Sequence, residues 1–251
     1  MRSFLIALAS VVTLFGNTLA AVVEPPTNAT LSAAEFSDCI ESIGVGLVPT
    51  AQAEALVPAP FIVVGTGGPM TPLVVRTSDC GGISVDGRPT KAGSVVQIGV
   101  VIVPPDFTGD INTYTLFYYT SDVKLAHRLE DNGVPAQHVG HLTYDFTTGA
   151  PGELHVRVPR PGTPTLSIDG IVGTPVPTGS FVANWWIGTV AGAIKMSTSV
   201  PAIAIGDAKL VLTTNPGGPL GQLIGGAGIG FPLVQQFNSF TGAHMDVTLV
   251  P

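Results

Sequence analysis

Residues 94–103 form a β-branched apolar run, and residues 112–120 alternate polar with apolar side chains. Both patterns predict strands. The period then changes. Between Ser121 and Asn132, Leu125, Ala126 and Leu129 fall on one helical stripe, and Gly133 and Pro135 end it. Residues 141–146 return to a strand pattern. This is the best-signalled helix in a chain otherwise made of strands and turns. It is expected to plug or cover a sheet, with any pocket beside it.

The flanking pattern is similar but weaker. Ser32, with Glu35 three residues on, predicts a short helix over 31–43. Thr50 is the expected N-cap of a second, over 51–56, stopped by Val57 and Pro58. Residues 219–224 have room for one or two helical turns. Strands are predicted at 61–64, 73–77, 153–158, 165–169, 181–187, 193–198, 209–214 and 244–249. With turn signals between most of them, roughly ten or eleven strands result. That pattern predicts a mainly β protein, an antiparallel barrel or sandwich with one or two short helices. No internal repeat or linker divides it. The expected organisation is a lead-in over 21–46 and a single barrel domain over 47–251.

Composition adds constraints. The 251 residues are 45% hydrophobic and only 11% charged, enough for one substantial core. Gly 31 and Pro 22 suit numerous turns. A net charge of -7 with scattered basic residues argues against a nucleic-acid partner. Residues 1–20 read as a secretory signal. Arg2 supplies its positive end, residues 4–15 are apolar but too short to span a bilayer comfortably, and small residues precede position 21. No second unbroken apolar run follows, so no membrane association is expected after cleavage, and the expected location is extracellular. In that setting Cys39 and Cys80 are expected to pair. They would close a loop of about 40 residues, worth ~3–4 kcal/mol. A catalytic thiol is the alternative, without a local signature to support it. Asn28 and Thr30 form an N-glycosylation sequon.

Candidate chemistry is thin. His138, His141 and Asp145, with His155, can be read as a metal cluster, but their spacing is not a zinc pattern. The polar outer face of an antiparallel strand explains His141, Thr143 and Asp145 as well. No metal and no cofactor are expected. A Gly-x-Ser-x-Gly elbow is absent. Glu153 with Asp145 or Asp169 would form a carboxylate pair for glycoside chemistry, although acids near turns are usually surface residues. The glycine-rich segments 65–69 and 225–230 lack the strand-to-long-helix context of a phosphate cradle. The aromatic runs 117–119 and 185–186 put adjacent rings on opposite strand faces, one inward and the other outward or into a second layer. Trp185 or Trp186 near Tyr118 or Tyr119 would make an apolar wall with a polar edge, suited to a small hydrophobic or aromatic molecule. Plain packing of the core is the simpler account of the same rings.

Three segments in order resemble the acetoacetate decarboxylase-like superfamily. Residues 48–58 are similar to its opening, a short helix of small residues running into Leu-Val-Pro. Residues 94–103 are similar to the strand that carries its pocket carboxylate. Residues 122–137 are similar to the helix and Gly-x-Pro turn before its catalytic lysine pair, and residues 194–201 and 208–212 to its late strands. The resemblance implies that family's β-barrel over residues 47–249. In the family a lysine after Gly-x-Pro forms a Schiff base with a ketone, and a second lysine lowers its pKa. Here Ala136 and Gln137 hold those places, and Gln97 stands where the carboxylate is expected. Neither Ala nor Gln forms an imine. In another register Lys124 or Lys195 would serve, though solvation explains both.

The expected function is to hold a small, largely apolar molecule, with Gln97, Tyr118, Tyr119, Trp185 and Trp186 as its contacts. One reading is an enzyme acting on a ketone, enol or polyketide without a Schiff base, with acid–base groups from Lys195, His138, His141 or Asp145. The others are a non-catalytic carrier and a ligand-free surface protein.

Overall fold

The computed structural model describes residues 28–89, 91–149, 151–159 and 166–251. The expected signal over residues 1–20 lies outside the described residues. Strands β1 (Ala29–Pro49), β2 (Met70–Val85), β4 (Gly93–Val101), β5 (Ile111–Thr120), β10 (Val176–Thr189), β11 (Gly192–Thr213) and β13 (Val234–Val250) build the main sheet. Its order is β10-β5-β4-β2-β1-β13-β11, and β11 pairs again with β10. The path of pairings therefore returns to its start, and these strands enclose an interior. Short β3 (Arg88–Pro89) pairs with β2, and β6 (Ala136–His138) with β5. Most pairings are antiparallel, but β5 runs parallel to β10 and to β6.

The far half of β11 leaves the barrel and joins a smaller layer. There it pairs with β9 (Leu166–Val172), which continues to β8 (Gly152–Val158) and β7 (Thr143–Thr147), and also with β12 (Gly228–Gly230). Alternation of side chains divides the apolar residues into two cores. Val74, Val95, Tyr118, Trp185, Met196, Phe240 and Met245 pack inside the barrel. Val75, Val96, Ile98, Leu154, Ile168, Trp186 and Phe237 pack between the barrel wall and the smaller layer. β4, rich in β-branched residues, is buried on both faces.

Helix α2 (Val123–Asp131) is where the 3.6-residue pattern puts it. Asp122 accepts from the Leu125 amide at 2.8 Å, and Gly133 leaves the helix at φ 87°, a left-handed conformation that glycine adopts freely. Leu125 and Leu129 enter the inner core beside Ala34, Val85 and Met245. Arg128 donates to the Leu31 carbonyl at 3.0 Å, and Asn132 to the Ser32 hydroxyl at 2.6 Å. The helix thus stoppers one end of the barrel.

Several expectations are corrected. Residues 31–43 are not a helix, and residues 29–46 are not a lead-in: they belong to β1, between β2 and β13. The period-two burial of Ser32, Ala34 and Phe36 wins over the capping pattern, because it buries those side chains in the barrel. Residues 61–64 contribute only a bridge from Val63 to Ile102. Helix α1 (Thr50–Glu54) forms, but Pro49 is its N-cap, and the Thr50 hydroxyl instead accepts from Thr71 at 3.1 Å. Helix α3 (Pro219–Ile224) matches its expected range. The strands expected at 193–198 and 209–214 are one strand, β11, which runs through Pro201.

Cys39 and Cys80 are bonded, facing one another across β1 and β2. Trp185 and Trp186 are both buried, one in each core. Trp186 also donates to Asn112 Oδ1 at 2.8 Å. Trp186→Ala should therefore destabilise the protein by roughly 3–5 kcal/mol, read as a shift in urea-unfolding midpoint at constant slope. A loss below about 1 kcal/mol would be inconsistent with its place at the centre of the outer core.

Candidate functional site

The inner face of the barrel holds a row of facing residues. Ala136 on β6 lies opposite Tyr118 on β5, Tyr118 opposite Gln97 on β4, and Gln97 opposite Arg76 on β2. Arg76 faces Ile43 on β1, which faces Gln236 on β13. Residues paired directly across strands share a face, so the row runs inside the barrel. The position at which the family resemblance calls for the imine-forming lysine is therefore Ala136, buried in the inner core.

A cavity of about 250 Å³ occupies the interior. Ile43, Val45, Val74, Ala183, Trp185 and Val200 supply its apolar walls. Partly exposed Ile111, Phe181 and Gln236, with exposed Val234 and Asp110, mark its open side. The helix α2 end of the interior lies near residues 34 and 36 of β1, whereas the cavity lies near residues 41–45. The apolar cavity is thus not the expected pocket beside helix 121–132: helix and cavity occupy different levels of the barrel, and what lies against the helix is a charged surface depression lined by Lys124, His127, Arg128 and Asp131.

Among the described residues, the only paired charges in the cavity lining are Arg76 and Glu41. Arg76 Nε donates to Glu41 Oε2, and Asn238 Nδ2 donates to Glu41 Oε1 at 3.2 Å. Both charged side chains are nearly excluded from solvent. They are diagonal neighbours on β1 and β2, brought together because Glu41 and Arg76 both point inward from the alternating strands. Two further lining groups, Trp185 Nε1 and Thr198 Oγ1, are buried without a hydrogen-bond partner.

Gln97 is buried beside Arg76 in the row and donates to Thr115 Oγ1 at 3.4 Å, but does not line the cavity. Tyr118 is also interior and outside the lining, and burial pushes its phenol pKa well up. Tyr119 faces the outer core with Phe117, the two rings stacked 6.4 Å apart. Trp186 does likewise, so Trp185 alone of the expected aromatic contacts reaches the cavity.

The candidate acid–base groups are not brought together. Lys195 lies opposite Trp186 on the outer face, 5.4 Å over its ring. Its ammonium donates to Asp106 Oδ2 at 2.5 Å and to Thr108 Oγ1 at 2.7 Å, binding the 103–110 loop to the barrel wall. His138 is exposed at the end of β6, and His141 is exposed in the turn before β7. Asp145 is exposed on β7 opposite His155, whose Nδ1 lies 2.8 Å from Asp169. This is the polar outer face of the smaller layer, and no group of metal-binding side chains is found among the described residues. Asn28 is exposed just before β1.

The sequence reading missed Arg76 and Glu41. A signal existed for Arg76, a charge that directly follows the apolar run of residues 73–75. Assigning residues 31–43 to a helix hid the inward position of Glu41.

The fold of this chain is that of acetoacetate decarboxylase-like proteins. A solved acetoacetate decarboxylase is similar with a TM-score of 0.55 and 10% identity, over 86% of this chain and 87% of that one. An acetoacetate decarboxylase-like enzyme from Sphingomonas wittichii RW1 is similar with a TM-score of 0.55 and 12% identity, over 89% and 94% of the two chains. The enduracididine biosynthesis enzyme MppR, solved with HEPES buffer bound, gives 0.53 and 12%, over 89% and 87%. No protein-family model and no curated protein matches this chain.

Two outcomes are expected. Borohydride reduction with acetoacetate should leave the protein mass unchanged, because no lysine lines the cavity. An adduct mapped to Lys124 or Lys195 would contradict this. The second concerns pH. Burial works against the Asp106 carboxylate, but hydrogen bonds from Lys195 and Thr108 outweigh it and hold its pKa below the ordinary 3.8. The pairing therefore stabilises the fold fully above that value and is lost as pH falls through the lower, folded value. Asp106→Asn should flatten the fall in stability below about pH 4, measured by urea unfolding at stepped pH. An unchanged acid limb would show that the pair contributes nothing.

Proposed function

We propose that this is a secreted protein that holds a small, largely apolar molecule inside its barrel, polar end toward Arg76, without Schiff-base chemistry. The observation that carries this is the cavity itself: apolar walls around one buried arginine–glutamate pair. A solid core would have no use for that pair. Desolvating two charges is unfavourable, and apolar residues of similar volume commonly stabilise a core as well or better. A guanidinium with its Nε held by Glu41 still has other donors for a carbonyl, enol or carboxylate oxygen. The leader-like residues 1–20, the Asn28 sequon and the disulfide support the extracellular part of the proposal.

A second reading adds turnover. With a ketone oxygen at Arg76, Glu41 is placed to take a proton from the adjacent carbon. The C–H bond breaks, its electron pair forms an enolate held by the guanidinium, and transfer of the proton from Glu41 to a different atom, the enolate oxygen or the far carbon of a conjugated enolate, completes an isomerisation. The Arg76–Glu41 contact favours this reading over one through Lys195, His138, His141 and Asp145, which lie outside the cavity.

Native mass spectrometry of protein from its own source should show a retained small molecule. The double variant Glu41→Gln with Arg76→Met, which avoids leaving one charge buried alone, should lose it while keeping a cooperative unfolding transition. Retention by the double variant would refute the assignment of the polar end. Solvent deuterium entering the carbon next to the ligand's carbonyl, and doing so only with Glu41 present, is the expected sign of turnover.

A further inference from the structure

The Arg76–Glu41 pair is not the only polar feature of the cavity. Trp185 and Thr198 are each only 2% exposed, both line the cavity, and Trp185 Nε1 and Thr198 Oγ1 have no hydrogen-bond partner among the described residues. Buried donors are rarely left unmade, since each forfeits the hydrogen bond it had with water. Trp186 shows the contrast one residue away: its Nε1 is satisfied by Asn112. The two orphans are neighbours. Ala183 pairs with Thr198 and Trp185 with Met196, so Trp185 and Thr198 are diagonal partners on the inner face of β10 and β11.

Their position in the barrel matters. In the closed path of pairings, β5 and β4 separate β10 from β2 on one side, and β13 and β1 separate β11 from β2 on the other. Trp185 and Thr198 therefore stand on the wall opposite Arg76. Val45, Val74, Ala183 and Val200 add apolar surface to the lining, and Gln236 and Asp110 are its other polar members. An indole N–H only donates, and a threonine hydroxyl can donate to the same acceptor.

We infer that Trp185 and Thr198 form a second polar station, and that the ligand is an apolar body carrying an oxygen acceptor at each of two opposite ends. One oxygen takes the Arg76 guanidinium and the other takes the Trp185 N–H and the Thr198 hydroxyl. The size of the cavity limits the body. A dry cavity of about 150 Å³ accepts benzene, so the 250 Å³ here suits a single ring, or an aliphatic chain of similar bulk, with short substituents at both ends. This rests on the cavity being a binding site, as proposed above.

The test uses two compounds of nearly the same shape. 1,4-Diacetylbenzene has a carbonyl at each end, and 4-isopropylacetophenone has one carbonyl replaced by an apolar branch. Isothermal titration of the full chain should show the diketone binding about tenfold more tightly. The single carbonyl of the other compound is expected at the charged donor, Arg76. Trp185→Phe and Thr198→Val keep bulk and remove one donor each. Each should weaken the diketone by about three- to tenfold and leave the monoketone unchanged. Equal affinities for the two compounds, unaffected by either variant, would overturn the second station while leaving the cavity as a binding site. Failure of both compounds to bind would overturn the binding reading and this inference with it.

Discussion

Every barrel strand needs a partner on both edges, and in this chain that requirement is met by the length of β11. Its first half closes the ring against β10 and β13, and its second half crosses into the smaller layer as partner to β9 and β12. Closure leaves no free edge on the ring and defines an inside. The same strand provides the floor on which the smaller layer packs, so the outer core and the enclosed cavity are two results of one continuous pairing. Lys195, on the outer face of this strand, fastens the 103–110 loop, and Thr198, three residues on and inward, lines the cavity.

An interior created this way has to be filled or used. Helix α2 fills one end with Leu125 and Leu129. Further along β1 and β2 the filling stops and two charges take its place. That choice is hard to explain by stability alone, because a lone arginine–glutamate contact seldom offsets its own desolvation. Asn238 supports the glutamate from β13, so three neighbouring strands hold the pair in place. Trp185, whose ring joins the inner core while its Nε1 is orphaned, is a second departure from a fully satisfied interior.

Much of the fold is legible from residue patterns, and the failures share a cause. β5 and α2 were read within a residue or two because period and capping agree there: alternation over residues 112–120, then Asp122 ahead of Leu125 and Leu129. β1 was misread because Ser32 and Glu35 have the spacing of a helix cap, and nothing local shows that Ala34 and Phe36 face a barrel. The strands expected at 193–198 and 209–214 are likewise one strand, which runs through Pro201. The site was legible only in part. Trp185 was among the expected contacts, but its neighbour Trp186 looks the same in sequence, and only closure of the ring decides which faces in. Arg76 and Glu41 lie far apart along the chain, and their meeting depends on the register of two long strands.

That register has a covalent check. Cys39 faces Cys80 two positions along β1 from Glu41, and the same ladder sets Ile43 against Arg76. In a strand pair a slip of one residue turns every side chain to the opposite face. A slipped pairing would send Arg76 into the outer layer and place a threonine or a valine in the cavity instead. The cysteine bond forbids that slip, because the sulfurs join only where the two half-cystines are opposite. Oxidation thus does more than tie a loop: it selects, among the alignments that two long β-branched strands can adopt, the one in which the barrel has a charged interior.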